Sequence, residues 1–119
     1  WQMDSEVKIY LERSENELRL ARAIFILSGS EKIKLSVEAN SNDTFYSGVI
    51  SHAYYCIFYC AKSFLLSKNI KTRVPDEKWK RGHFSYKTLA QANKSPAKES
   101  IDNVIKFLSH IKGVLENGI

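Results

Sequence analysis

The sequence is short of the residues and runs that mark several classes of protein. It has two cysteines in 119 residues, Cys56 and Cys60. They lie four apart, and neighbouring side chains of one helix rarely meet disulfide geometry, so a disulfide scaffold is excluded. No run reaches the roughly 18 uninterrupted apolar residues of a membrane span. The N-terminus also lacks the basic start and apolar run of a secretory signal. These absences predict a cytoplasmic protein with no membrane segment.

Motifs of several enzyme classes are absent as well. There is no glycine-rich phosphate loop, no Gly-x-Ser-x-Gly and no acidic cluster suited to magnesium. No stretch carries the row of basic and amide side chains that reads a DNA groove. No internal repeat or low-complexity tract divides the chain. We therefore predict one helical domain over residues 1–119 and no cofactor.

The positive charge is concentrated in one part of the chain. Residues 1–68 carry eight basic and eight acidic residues, and residues 99–119 carry two basic and three acidic. The net charge of +5 therefore comes from residues 69–98. Such a concentration could attract phosphate, or it could belong to a solubilising loop. The basic residues of this stretch are Lys71, Arg73, Lys78, Lys80, Arg81, Lys87, Lys94 and Lys98.

Helical periodicity dominates the rest of the sequence. The first helix is predicted from Asp4 or Ser5 to Leu27, with steps of four and three between its apolar or small residues. The second, from Phe45 to Lys68, is apolar on almost every side and should be a central helix covered by the others. Residues 30–44 allow either a short strand or a loose turn of helix. The stripe of the first helix is Val7, Leu11, Ser14, Leu18, Ala21 and Phe25.

A third long helix is predicted near the C-terminus. Ser95 is expected to cap it, with Pro96 in the first helical position and Asn117-Gly118 at its end. Three long helices without a convincing strand predict an all-α bundle. The stripe of this last helix is Ile101, Val104, Leu108, Ile111 and Leu115.

Several segments in order resemble the HEPN family. Residues 45–66 have an aromatic-Ser start, an Ala-Tyr-Tyr centre and an Ala-Lys-x-x-Leu-Leu end, which is similar to the second helix of that family. Residues 10–18 resemble its first helix. Phe84-Ser-Tyr-Lys and the later Ala-Lys-Glu-Ser-Ile at 97–101 resemble its C-terminal part. The resemblance covers most of the chain, from about residue 8 to residue 115.

The resemblance implies an up-and-down bundle of four to five helices, usually a homodimer. Many HEPN proteins are metal-independent ribonucleases, often toxins paired with a small nucleotidyltransferase antitoxin. Others are non-catalytic nucleotide-binding or partner-binding modules. In the nuclease branch an Arg lies four to six residues before a His, near the start of the last long helix. The Arg stabilises charge on the phosphorus centre while the His moves a proton at a ribose hydroxyl.

This sequence departs from that pattern at the catalytic pair. His83 has the right position, but Arg81 is two residues away, a spacing that turns the side chains apart on a helix. The segment between Pro75 and His83 is also short for the family. Either a helix was lost there, or residues near Lys80–Gly82 are missing from the sequence. The expected site is His83 and Arg81 for catalysis, with RNA or nucleotide contacts from Lys71, Arg73, Lys78, Lys80 and Tyr86.

Other side chains allow weaker hypotheses. His52, Cys56 and Cys60 are zinc-type ligands one helical turn apart, but buried cysteine usually serves as a small apolar residue. We therefore predict no metal site and expect His52 in the core or at an interface. His110 is expected in solvent. Aromatic residues of the second helix could stack bases, although packing is the better interpretation: Tyr46, Tyr54, Tyr55, Phe58 and Tyr59.

Overall fold

The first helix follows the sequence prediction closely. The computed structural model of the protein describes residues 4–70 and 93–117. Helix α1 spans Ser5–Ser28, and Asp4 caps it because its Oδ1 accepts the Glu6 amide at 2.9 Å. The predicted stripe faces the interior from Val7 to Ala21, and Phe25 is half-buried. The steps of four and three therefore identified the correct face.

The segment left open between strand and helix is helical. Helix α2 spans Glu31–Ser36, and the chain then returns toward the bundle. Lys34 organises this return, since its Nζ donates to the carbonyl oxygens of Ser41 at 2.7 Å and Asp43 at 3.0 Å. Its side chain is buried, so these two hydrogen bonds satisfy an ammonium group that would otherwise be costly to bury.

Helix α3 spans Tyr46–Ser67 and runs antiparallel to α1. At one end the Phe45 amide donates to Ser28 Oγ at 2.8 Å. At the other end Ser63 Oγ donates to the carbonyl of Val7 at 2.7 Å. These contacts join the start of α3 to the end of α1 and the end of α3 to the start of α1. The two helices α1 and α3 therefore lie side by side and run in opposite directions.

Helix α3 is central, but the prediction that its neighbours cover it on all sides is only partly right. It packs against α1 and, on another side, against α4, the helix that spans Lys94–Glu116. Ala53 and Cys56 are completely buried. By contrast, several apolar residues of α3 are only half-buried: Ile50, Tyr54, Ile57, Phe58, Phe64 and Leu65.

In the described part of the chain, α3 alone is long and apolar enough to cross a membrane by length and composition. Its mean hydropathy is 1.2, at the margin for such a segment. Since α1 and α4 both pack on it, α3 has the position of a core helix in a bundle. The structure therefore does not indicate a membrane protein.

Helix α4 begins earlier than the sequence predicted. Its cap is Asn93, and Lys94 is its first residue, so the expected cap at Ser95 is wrong by two residues. Pro96 consequently lies in the third helical position rather than the first. It is tolerated there because the first four amides of a helix have no partner within the helix. The predicted stripe of α4 is confirmed, with all five of its apolar residues buried.

The core is a single cluster between α1, α3 and α4. It is made of aliphatic and small residues, with Tyr46 as its one aromatic member in the described chain. In residues 4–70 and 93–117 all secondary structure is helical, in four helices. The core residues are Val7, Leu11, Leu18, Ala21, Tyr46, Val49, Ala53, Cys56, Cys60, Ala97, Ile101, Val104, Leu108, Ile111 and Leu115.

Candidate functional site

The seven predicted site residues all lie outside the described part of the chain. They belong to residues 71–92, which connect α3 to α4 between Ile70 and Asn93. The prediction of a catalytic and phosphate-binding site stays a prediction for these residues: His83, Arg81, Lys71, Arg73, Lys78, Lys80 and Tyr86.

Two other basic residues of the charged stretch lie on α4. Lys94 and Lys98 are exposed in its first two turns. Lys98 Nζ pairs with Asp102 Oδ2 at 2.9 Å, one helical turn away. The start of α4 therefore extends the positive charge onto the folded bundle, and at Lys98 this charge is partly balanced by a carboxylate.

His52 bridges two helices. Its Nδ1 donates to Glu17 Oε2 of α1 across 2.5 Å, and the two side chains are 28% and 19% exposed. The Tyr55 ring contacts the imidazole edge to face, with centroids 5.4 Å apart. His52 is therefore hydrogen-bonded and half-buried at the contact between α1 and α3, and it does not belong to the core. His110, in contrast, is exposed on α4, as predicted.

The two cysteines are free and fully buried in the core. Burial raises the pKa of the Cys60 thiol to about 12, with a smaller contribution from the Glu15 carboxylate. Burial likewise raises the pKa of Cys56 to about 12, with smaller contributions from Cys60, which repels a second thiolate once it is itself ionised, and from the carboxylates of Glu17 and Glu15. Thiols in this state are poor ligands and poor nucleophiles, because both roles need the thiolate. In the described residues no three His, Cys, Asp or Glu side chains are grouped to hold a metal ion.

A basic and aromatic cluster lies further along the same contact between α1 and α3. The Arg13 guanidinium lies over the Tyr59 ring at 4.6 Å, and its Nη2 donates to the Tyr59 hydroxyl at 3.4 Å. Tyr10 stacks on Tyr59 with centroids 6.1 Å apart, and Lys62 Nζ lies 5.7 Å from the Tyr10 ring. We call the side of the α1–α3 contact formed by Tyr10, Arg13, Glu17, His52, Tyr55 and Tyr59 the seam.

The sequence analysis did not single out the seam. Arg13 and Glu17 are one helical turn apart on α1, and Tyr55 and Tyr59 are one turn apart on α3. That spacing places each pair on one face of its helix, which the sequence alone could have shown. Whether the two pairs face each other depends on how α1 and α3 pack, so only the folded chain shows this contact.

The aromatic residues of α3 have two different environments. Tyr46 and Tyr59 are buried, and Tyr46 meets Phe25 edge to face at 5.7 Å. Packing, the favoured interpretation, is therefore confirmed for these two. Tyr54, Tyr55 and Phe58 are half-buried and form a chain of ring contacts. Partial burial raises the pKa of Tyr54 above its ordinary value.

Two shallow apolar hollows border α3. One, of about 230 Å³, lies between α3 and α4 and is lined by residues including Ile50, Ile57 and Val104. The other, of about 390 Å³, lies where the end of α1 meets the start of α3, around Ile24 and Phe45. The described lining of both contains no basic or acidic side chain, so neither hollow is suited to hold a phosphate.

The fold places the protein in a broad class, the small all-helical bundles. Comparisons with known proteins do not narrow this class. No protein-family model matches the sequence, and neither the curated proteins nor the solved structures contain a match.

Proposed function

We propose that this chain is a HEPN-type helical-bundle protein directed at RNA or a nucleotide. In this proposal it acts in the cytoplasm as a homodimer. In its strongest form it is a metal-independent ribonuclease and the toxin partner of a small nucleotidyltransferase. His83 is then the acid and base, Arg81 the phosphate clamp, and the basic residues from Lys71 to Lys80 guide the anion toward them.

The distribution of charge is the single observation that carries this proposal. Residues 69–98 hold eight basic residues against two acidic, while the remaining sequence is close to neutral. The described chain supports it in one respect, since two of these basic residues, Lys94 and Lys98, are exposed at the start of α4. Charge concentrated in a short stretch of sequence attracts a polyanion more strongly than dispersed charge does.

Two measurements test the proposal. Binding of a short single-stranded RNA should weaken steeply with salt, because each neutralised phosphate contributes about −0.7 to the slope of log K against log salt concentration. Cleavage of the same RNA should be lost in His83→Ala and retained in His110→Ala, a control that removes an exposed histidine of α4. If the His83→Ala variant still cleaved the RNA, His83 would not be a catalytic residue.

A second candidate function is a non-catalytic module for dimerisation and partner binding. It is favoured by apolar surface on the described chain, where Ile26, Leu35 and Val37 are each more than half exposed. The half-buried face of α3 adds to that surface. Small folded domains usually keep contiguous apolar patches limited unless a partner covers them.

A comparison of two variants, His83→Ala and Leu35→Ser, distinguishes the two proposed functions. Under the first, His83→Ala abolishes RNA cleavage, whereas Leu35→Ser leaves it unchanged because Leu35 lies on α2 and carries no charge. Under the second, wild-type protein cleaves no RNA, and Leu35→Ser weakens self-association or partner capture in sedimentation experiments. Wild-type cleavage that His83→Ala abolishes would refute the non-catalytic alternative.

A further inference from the structure

Glu17 and His52 form a carboxylate–imidazole pair at the contact between α1 and α3. Glu17 Oε2 and His52 Nδ1 lie 2.5 Å apart, and the Tyr55 ring meets the imidazole edge to face with centroids 5.4 Å apart. A carboxylate accepts hydrogen bonds and does not donate them, so the proton of the neutral imidazole lies on Nδ1. The pair therefore fixes both the tautomer and the orientation of the ring.

With its proton on Nδ1, the neutral His52 ring has the lone pair of Nε2 as an acceptor. Within residues 4–70 and 93–117, Nε2 has no hydrogen-bond partner. The His52 side chain is 28% exposed and the Glu17 side chain 19%, so molecules from solvent reach the imidazole while the carboxylate is the more covered partner. A general base needs an accessible lone pair and a group that orients the ring, and this pair supplies both.

The described chain offers this base no nucleophile of its own. No serine, threonine or tyrosine hydroxyl of residues 4–70 and 93–117 is hydrogen-bonded to Nε2. The thiols of Cys56 and Cys60 are buried in the core and stay protonated. The described residues therefore leave the substrate or water to supply the hydroxyl that loses its proton. RNA carries such a hydroxyl, the ribose 2′-OH, beside each phosphorus atom that it links.

We propose that His52 is the general base that activates the ribose 2′-hydroxyl in RNA cleavage, with Glu17 as the residue that positions it. This inference rests on the proposed function and transfers one role within it, that of the base, from His83 to His52. Nε2 takes the proton of the 2′-hydroxyl, the 2′ oxygen bonds to the adjacent phosphorus, and the bond from phosphorus to the 5′ oxygen breaks. The leaving oxygen takes a proton from water and the imidazolium returns one to solvent. The products are a 2′,3′-cyclic phosphate and a 5′-hydroxyl end.

Three variants test this role on a short single-stranded oligoribonucleotide. His52→Asn places an amide that can still donate to Glu17 but is no base, and it should lower kcat by about 100-fold or more, the usual contribution of a general base. Glu17→Gln should lower kcat about tenfold and leave KM unchanged, because it weakens the orientation of the base rather than binding. His110→Asn, the same change at an exposed histidine of α4, should keep wild-type kinetics. Thermal unfolding checks that each variant is folded.

The substrate and the imidazole spectrum supply two further readouts. An oligonucleotide with a 2′-deoxyribose at the cleaved position should not be cut there, because it lacks the nucleophile. In ¹H–¹⁵N spectra of the wild type, the ring proton of neutral His52 should lie on Nδ1. Glu17→Gln should add the other tautomer, a change that loss of packing alone does not produce.

The outcomes distinguish this inference from the function on which it rests. If folded His52→Asn cleaves RNA at the wild-type rate, His52 is not the base, and the proposed function stands with His83 in that role. Cleavage at a 2′-deoxyribose would likewise refute activation of the 2′-hydroxyl. If the wild type cleaves no RNA, the inference and the ribonuclease form of the proposed function fail together.

Discussion

Helices α3 and α4 differ in how much their sequences reveal about their surroundings. In α4, charged and polar residues separate the apolar ones, and every apolar residue of the predicted stripe is buried. In α3, apolar residues occur on all sides, yet Val49, Ala53 and Cys56 are fully buried whereas Ile50 and Ile57 are half-buried. The polar residues of an amphipathic helix identify the side that faces water. A helix without them does not show which sides its neighbours cover.

The largest expected effect on stability comes from replacing one leucine by alanine in each of the two helices. Leu108 of α4 is 5% exposed and Leu65 of α3 is half-buried. Leu108→Ala should lower the free energy of unfolding by about 3 kcal/mol, since it removes buried methyl groups and leaves a cavity. Leu65→Ala should cost about 1 kcal/mol, because less of that side chain leaves water on folding. Urea unfolding of the two variants measures the difference.

Equal losses in the two variants would contradict the contrast between α3 and α4. They would mean that the Leu65 side of α3 is as well packed as the stripe of α4. The slope of the unfolding transition should be the same in both variants, which ensures that stability is compared without a change in the denatured state.

The buried side of α3 can be tested through the chemistry of its two thiols. Because burial holds both thiol pKa values at about 12, Cys56 and Cys60 should not react with a thiol reagent at pH 8 until the protein unfolds. In the unfolded chain the thiols ionise near the ordinary thiol pKa of 9.0. The stabilising contribution is therefore complete below pH 9 and is lost as pH rises toward 12, by up to about 1.4 kcal/mol per pH unit for each thiol.

Chemical unfolding at pH 8, 9 and 10 measures this loss, and Cys56→Ala/Cys60→Ala supplies the control. The double variant should show a smaller decrease of stability above pH 9 than the wild type does. Rapid labelling of the native protein at pH 8 would show instead that one or both thiols are accessible, and the assignment of this side of α3 to the core would be wrong.

How much of the structure the sequence predicts also depends on whether polar residues mark the exposed side of a helix. The stripes of α1 and α4 were predicted correctly, because repeated polar positions leave a single choice of face. The start of α4 was misplaced, since Asn93 and Ser95 are both good capping residues and local sequence does not choose between them. The seam was missed because the facing of Arg13 and Tyr59 depends on helix packing. The predicted catalytic and binding residues, from Lys71 to Tyr86, stay untested.

The two helices also contain a matched pair of glycines. Apart from the adjoining backbone of α4, no atom of the described residues lies within 4 Å of the Cβ that Gly113 would gain, whereas at Gly48 of α3 the nearest atoms belong to Ile24, at 3.6 and 3.8 Å. Gly113→Ala should stabilise the protein by about 0.5–1 kcal/mol, because alanine loses less backbone entropy in a helix. Gly48→Ala should gain a similar amount plus the new contact with Ile24. Thermal unfolding measures both, and a loss of stability at Gly113 would show that a neighbour occupies that surface.

The smallest expected effect concerns a polar contact between α1 and α4. The periodicity of neither helix reveals this contact. Lys112 Nζ donates to Glu15 Oε2 at 2.9 Å, and this hydrogen bond raises the pKa of Lys112. Since both side chains are partly exposed, a double-mutant cycle with Glu15→Gln and Lys112→Met should give a coupling of about 0.5 kcal/mol. The Lys98–Asp102 pair, which lies within α4 and is more exposed, should give about 0.3 kcal/mol. Both couplings should decrease in high salt, and a larger coupling for Lys98–Asp102 would contradict the assignment of the Glu15–Lys112 contact to the α1–α4 interface.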